Sequence, residues 1–334
     1  MRQSLPSGGR LKENRVLVVG LPRAGTTWVG QTLRRTEGAS FVGEPDNERK
    51  EPYALRGKRG LGRFPALKAN DEAPEFAHLW DLAFEGRVSG KRYREMAARR
   101  LLARVTQTEI RAALCGPNGH RSARLRLVEA LAPAPGRAQD AGNVVVKSVY
   151  APLCLEWLNR RYEPRVVIVL RHPLNVISSW LALGYRDSRL DENSSVRRGF
   201  VEPLGLPLPG RTASPLARVS WEVGLLTSAL EDAATKHPGW LTVTHERLCE
   251  DALGEFERLS GRLGLNWAEP ARRFVIDSNR PGSGYAPQRV AHEQPQRWRS
   301  RLSDEQVSEI ASVLHGFPLR TWTDEPVIGR SGRG

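Results

Sequence analysis

The stretch GLPRAGTTW (Gly20–Trp28) joins a hydrophobic run to a helical one through small residues, the layout of a loop built to hold a phosphate. Gly20 and Gly25 stand at the two glycine positions of a G-x-x-x-x-G-K-[ST] loop, and Thr27 stands at its hydroxyl position. The backbone N–H groups of Arg23, Ala24, Gly25, Thr26, Thr27 and Trp28 are expected to converge on one phosphate at a helix N-terminus, where the dipole favours an anion. Thr26 replaces the lysine that reaches the β- and γ-phosphates of a nucleoside triphosphate, and the cation present is Arg23, inside the loop. The expected ligand therefore carries a single group beyond its 5′-phosphate. Trp28, in the first helical turn, is placed to lay its ring against a purine.

The elements that must position this loop are short β-branched runs alternating with helical ones. Val16–Gly20 reads as a strand and Thr26–Arg35 as the helix after it, followed by a short apolar run at Ser40–Val42. NVVVKSVY reads as a buried strand ending at Lys147, and a helix follows through Leu158. RVVIVL (Arg165–Leu170) is a third continuous run, with Pro173 suited to the first turn of the helix behind it. Leu216–Lys236 reads as a helix, and WLTVTHERL as a strand running into one. This alternation predicts an α/β fold: three α/β/α layers around a central parallel sheet covered on both faces. Gly43–Leu82, rich in Pro, Gly and charge, reads as an irregular connection; Gly90–Leu114, with apolar residues at helical spacing, as one long helix. We expect one domain over residues 16–322, with insertions at 46–143 and 185–215 on the acceptor side and flexible ends at 1–15 and 323–334.

Composition narrows the function. The chain has 334 residues, 40% hydrophobic and 26% charged, enough for a large buried core. It contains no run long and apolar enough to span a membrane, and its basic, polar start lacks the apolar core of a secretory signal. Cys115, Cys154 and Cys249, odd in number and far apart, read as reduced thiols of a cytoplasmic protein, neither a disulfide frame nor a metal site. The net charge of +14, nearly all arginine, favours polyanions. The arginines are scattered, however, without a basic block interleaved with aromatics, so no nucleic-acid partner is expected.

GLPRAGTTW resembles the 5′-phosphosulfate loop of the sulfotransferases that use 3′-phosphoadenosine 5′-phosphosulfate (PAPS), roughly G-x-P-[RK]-[SA]-G-T-[TS]-W. A second motif of that family is an arginine at a strand end with a serine eight residues on; VIVLRHPLNVISSW supplies Arg171 and Ser179 at that spacing. The resemblance implies that this pair grips the 3′-phosphate, and a guanidinium beside a hydroxyl suits a phosphate monoester. VVVKSVYAPL resembles the family strand ending in a lysine near the transferred group, here Lys147. QRWRSRLSDEQV resembles the closing G-D-W-K-N segment, with Trp298 and Arg299 matching Trp-Lys. The R-K-G before that segment is absent, and Arg289 is the nearest candidate for its phosphate contact. VTHERLCED resembles the Y-E-D-L segment but carries His245 for the adenine-side tyrosine and Arg247 for the acid. The likeness covers roughly residues 16–307 and leaves 46–142 and 185–215 unmatched.

The resemblance implies in-line transfer of a sulfuryl group from PAPS to a hydroxyl, leaving adenosine 3′,5′-bisphosphate, with Arg23 and Lys147 stabilising the leaving phosphate and no metal required. Members acting on phenols and steroids carry a K-T-H base; here the histidine position is Val149. Carbohydrate-directed members often carry an acid soon after the first helix, and FVGEP supplies Glu44, the candidate general base, with Asp81 or His78 as a backup. The acceptor reading therefore leans toward a hydroxyl on a sugar or glycoconjugate. The rival readings are a P-loop NTPase or kinase, which needs the absent lysine and an acid after a core strand, and a non-catalytic basic protein binding nucleotide or polyanion.

Overall fold

A computed structural model describes residues 14–90, 92–115, 121–139, 142–185, 189–281 and 290–321. The chain begins with β1 (Asn14–Gly20), α1 (Thr26–Leu33) and β2 (Ala39–Gly43). It continues through α2 (Pro52–Gly57), α3 (Pro74–Phe84), α4 (Tyr93–Leu102), α5 (Gln107–Cys115) and α6 (Ala123–Leu131) before β3 (Asn143–Ser148). Next come α7 (Leu155–Tyr162), β4 (Arg165–Leu170), α8 (Pro173–Ala182), the short α9 (Ser194–Val196) and the long α10 (Pro215–Lys236). β5 (Leu241–Thr244), α11 (His245–Glu250), α12 (Ala252–Arg262), α13 (Glu269–Ser278) and α14 (Asp304–Leu314) complete the order.

The strands form one sheet in the order β2-β3-β1-β4-β5, every pairing parallel. All strand carboxyl ends therefore share one edge. Alternation along β1 divides the core: Leu17 and Val19 face the cluster containing α7, α8 and α10, while Val16 and Val18 face the one containing α1 and α12. Both faces are covered, which is why these strands carry β-branched residues at nearly every position. Trp80, Trp157, Trp180 and Trp221 are all buried in the first cluster. Among the described residues no helix is long and apolar enough to cross a membrane.

Because the connection leaving β1 crosses to β2 while that leaving β4 crosses the other way to β5, the strand order reverses between β1 and β4. Such a switch point opens a crevice at the carboxyl edge, where ligands of open α/β sheets bind. The glycine loop leaves β1 and Arg171 leaves β4, one on each side of it.

Two elements differ from expectation. Residues 43–82 are not irregular throughout: α2 and α3 lie there, each with proline in its first turn. The long helix expected at Gly90–Leu114 is two helices, α4 and α5. Thr106 caps the second, with its N–H and hydroxyl both donating to Glu109 Oε2 at 2.9 Å, so the chain restarts a helix there instead of continuing one. The apolar face is also different, because Tyr93 is 81% exposed and the buried stripe runs Glu95, Ala98, Leu102. Leu55, Leu102, Ile110, Leu114, Leu125 and Val128 form a separate small core joining α2, α4, α5 and α6.

Candidate functional site

The loop after β1 is held in a shape that glycine permits. A Cβ on Gly20 would lie 2.4 Å from the Val169 carbonyl oxygen, and one on Gly25 (φ 98°) would lie 2.5 Å from His245 Cδ2. Arg23 also takes the left-handed region, at φ 74°, a strain that the surrounding contacts must hold in place. The Ala24 N–H donates to the Leu21 carbonyl at 3.0 Å, and the Trp180 indole donates to the Pro22 carbonyl at 2.7 Å. No side chain caps the amides at the N-terminus of α1, and its first turn holds no acidic residue. The loop thus presents positive backbone ends to the crevice.

From the end of β4, Arg171 donates from Nη1 to the Arg23 carbonyl of the loop at 2.9 Å and from Nη2 to the Gln294 carbonyl at 3.4 Å. Its Nε is buried with no hydrogen-bond partner. Burial pulls this guanidinium down to about 10, with Arg23 and Arg301 pushing the same way and Glu246 opposing, so it stays charged at neutral pH. Arg23 Nε donates to Ser179 Oγ at 3.0 Å. The loop cation thus lies at the Arg171–Ser179 pair, the one that the resemblance assigns to the 3′-phosphate, and not on the 5′ side where the resemblance placed it. Arg301 feels the charges of Arg297 and Arg23 after its own burial. Four guanidiniums therefore share one neighbourhood, where an anion of high charge would be stabilised.

The second side of the loop carries Lys147, the β3 residue aligned with Gly43. Lys147 is 3% exposed, donates to Thr27 Oγ1 at 3.3 Å and makes a short ion pair with Glu44 Oε1. Glu44 Oε2 accepts from Asn47 Nδ2 at 2.5 Å and lies 3.3 Å from Lys50 Nζ. Burial alone would raise the Glu44 carboxyl, but Lys147 above all, with Lys50 and Asn47, holds it at about 2. Burial lowers Lys147 despite Glu44. Glu44 has φ 54°, another left-handed residue beside the loop.

The remaining predicted residues frame the crevice. Trp28 packs edge-on against Phe256 at 5.2 Å and His245 at 6.2 Å. His245 is buried under Gly25, and burial together with Arg171 and Arg23 pushes its imidazole well below the usual value, leaving it neutral. Trp298 stacks on His172 at an interplanar angle of 9°, and its backbone N–H donates to Asn175 Oδ1 at 3.2 Å. Arg299 is exposed, with its guanidinium 4.4 Å from the centre of the Trp298 ring and its Nε donating to Gln296 at 2.6 Å. Arg289 lies outside the described residues. Asp81 accepts the Tyr162 hydroxyl at 2.9 Å, binding α3 to α7, and His78 meets the Tyr53 ring. Val149 is buried in the apolar core.

Sequence reasoning missed Arg297, Arg301 and Asn175. Asn175 donates from Nδ2 to the Pro295 carbonyl at 2.9 Å while accepting from Trp298, so it pins the segment carrying both arginines to α8. Its place in VIVLRHPLNVISSW, four residues after Arg171, was the available signal. Among the described residues, no group of three acidic, histidine or cysteine side chains could hold a metal.

No protein-family model matches the chain. No curated protein matches it either. Solved structures similar to it include the sulfotransferase domain of a Synechococcus olefin synthase, at 14% identity and a TM-score of 0.41, covering 93% of this chain and 98% of that one. A Mycobacterium avium sulfotransferase is 12% identical, with a TM-score of 0.39 over 93% of this chain and 78% of that one. A mouse sulfotransferase solved with PAP is 8% identical, with a TM-score of 0.37 over 90% and 83%.

Proposed function

We propose that this chain is a sulfotransferase that moves a sulfuryl group from PAPS to a hydroxyl, on a sugar or glycoconjugate acceptor. The observation that carries the reading is the meeting of two sets of anion-binding groups at the carboxyl edge of the sheet, where the strand order reverses. On one side are the uncapped α1 amides with Lys147 and Thr27; on the other are Arg171, Ser179 and Arg23, backed by Arg297 and Arg301. A nucleotide phosphorylated at both 5′ and 3′ positions matches both sites. The unpartnered, buried Arg171 Nε is a donor that a phosphate oxygen would satisfy.

PAPS supplies the electrophilic sulfur and a 5′-phosphate leaving group. In the proposed mechanism the amides at residues 25–27 and the Lys147 ammonium hold the phosphate oxygens that gain charge as its S–O bond breaks. Glu44 accepts the proton of the hydroxyl whose oxygen forms the new S–O bond. Lys147 touches both the phosphate side, through Thr27, and Glu44. Drawing the ammonium toward the donor weakens its hold on Glu44, and the buried carboxylate becomes a stronger base. The apolar Val149, at the position of the phenol-type histidine, favours the carboxylate as base and a carbohydrate as acceptor. A nucleoside triphosphatase is disfavoured by Thr26 and by β3 and β4, which end in Lys147-Ser148 and lead into Arg171, so neither strand's own sequence supplies a Walker-B acid.

The test is transfer of label from sulfate-labelled PAPS to a panel of neutral glycans, acidic glycans, phenols and sterols. Transfer to a glycan, unaffected by a metal chelator, is expected. Magnesium-dependent ATP turnover without label transfer would overturn the reading.

A further inference from the structure

Behind the Glu44–Lys147 pair lies a second carboxylate that the proposed mechanism does not use. Asp46 is 0% exposed. Its Oδ2 accepts from Ser148 Oγ at 2.7 Å, and its Oδ1 is buried without a partner. Ser148 directly follows Lys147 and also accepts from the Tyr150 N–H at 3.0 Å, so its position is fixed. Two residues before Asp46, the Glu44 N–H donates to the Lys147 carbonyl at 2.6 Å. The Glu44–Asn47 turn, closed by the Asn47 N–H on the Glu44 carbonyl at 3.1 Å, therefore hangs from two consecutive β3 residues. Asp46 holds one attachment, and Glu44, in its left-handed conformation, the other. Below the turn, Lys58, also 0% exposed, donates to the Asp46 carbonyl at 3.1 Å and to Glu48 Oε2 at 2.7 Å.

We infer that Asp46 is the positioning residue of this site, holding Glu44 against Lys147 through Ser148 and setting a buried carboxylate behind the pair. The inference rests on the sulfuryl-transfer reading above. Asp46 cannot reach an acceptor itself, because it is sealed from solvent.

The titratable groups facing it are Lys58 and Glu48 from the α2 side, Glu44 on its own turn, Lys147 on β3, and the Cys154 thiol at the start of α7, which burial keeps neutral. Burial raises its carboxyl to about 6, against the pull of Lys58 and Ser148. The folded value lies above the unfolded one, so the native state is favoured when Asp46 is protonated, and that advantage is lost as pH rises through about 6. Above that pH the ionised group destabilises the fold. A buried charge that costs stability, held beside the proposed proton-transfer pair by Ser148 and Lys58, fits a functional role.

Asp46→Asn keeps the shape and an acceptor for Ser148 but removes the charge, while Ser148→Ala removes the hydrogen bond and keeps the charge. Each is measured for melting temperature across pH, for adenosine 3′,5′-bisphosphate binding, and for release of that bisphosphate from PAPS with water as the acceptor. Asp46→Asn should bind the bisphosphate as the wild type does and melt no lower than it well above pH 6. It should nevertheless lose about tenfold or more in turnover, the size of a one-unit change in the base it tunes, and should lack the acid limb that ionisation of Asp46 is expected to give the wild type near pH 6. Ser148→Ala should move that limb to higher pH, because the lost bond favoured the carboxylate. An Asp46→Asn protein with wild-type turnover and pH profile would overturn the inference. So would one that melts lower above pH 6, since Asp46 would then be merely structural. A wild-type protein that neither binds the bisphosphate nor turns over PAPS would remove the sulfuryl-transfer reading itself, and this positioning role with it.

Discussion

Glu44→Gln is expected to cut turnover by roughly 10²–10⁴-fold, the range of a lost general base, while binding of adenosine 3′,5′-bisphosphate is kept or tightens. The two effects have different physical sources. Glutamine can accept a hydrogen bond from Lys147 but cannot take the acceptor proton, so the chemical step slows. The same change removes a negative charge next to the phosphate-binding side of the loop and frees the Lys147 ammonium from its carboxylate partner. Both consequences favour an anion, so affinity should not fall. In the free protein Glu44 is held at about 2, so it is ionised throughout the neutral range and should contribute no acid limb near neutrality. Asp46, raised to about 6 by burial, is instead the group expected to give the pH profile its acid limb. Glu44 also stabilises the fold: its value is below the unfolded one, so the contribution is present above the ordinary carboxylate range and lost as pH falls toward 2. Single-turnover PAPS consumption alongside calorimetric binding separates the terms, and full activity in the variant would rule Glu44 out as the base.

Arg171→Ala should weaken adenosine 3′,5′-bisphosphate binding by about 10²-fold or more, since charge-assisted hydrogen bonds contribute roughly 1.5–3 kcal/mol each and a guanidinium can make two. The structure adds a second cause. Arg171 ties the loop backbone at Arg23 to the Gln294 carbonyl, so its loss loosens the loop and the segment carrying Arg297 and Arg301 together. Arg171→Lys separates the causes, because it restores a charge without the planar fork. Affinity for 5′-AMP, which lacks the 3′-phosphate, should fall much less than bisphosphate affinity in both variants. Equal losses for the two nucleotides would mean that Arg171 only supports the loop.

β1 and β4 were legible because strands buried on both faces carry unbroken β-branched runs, and the glycine loop because its spacing is fixed by backbone sterics. Arg171 and Ser179 were legible as a spacing, yet the approach of Arg23 to Ser179 was not, since it depends on how a left-handed loop aims a long side chain. Arg297 and Arg301 flank the residue that the resemblance selected, Arg299, in a short segment without periodicity, and only its docking on Asn175 brings their charges to Arg23. Asp46, an acid after a proline, reads as a solvated turn until burial against Ser148 and Lys58 is known. The break between α4 and α5 was hidden because Tyr93 and Met96 mimic an apolar face they do not bury.

The most direct test of the central claim is a calorimetric titration of the wild-type protein with adenosine 3′,5′-bisphosphate, 5′-AMP and ATP in turn. Two sets of anion-binding groups meeting at the carboxyl edge of the sheet predict that the bisphosphate binds about 10²-fold more tightly than 5′-AMP, the effect of adding a charge-assisted 3′-phosphate contact, and more tightly than ATP without magnesium. Equal affinity for the bisphosphate and 5′-AMP, or a preference for ATP with magnesium, would contradict the account.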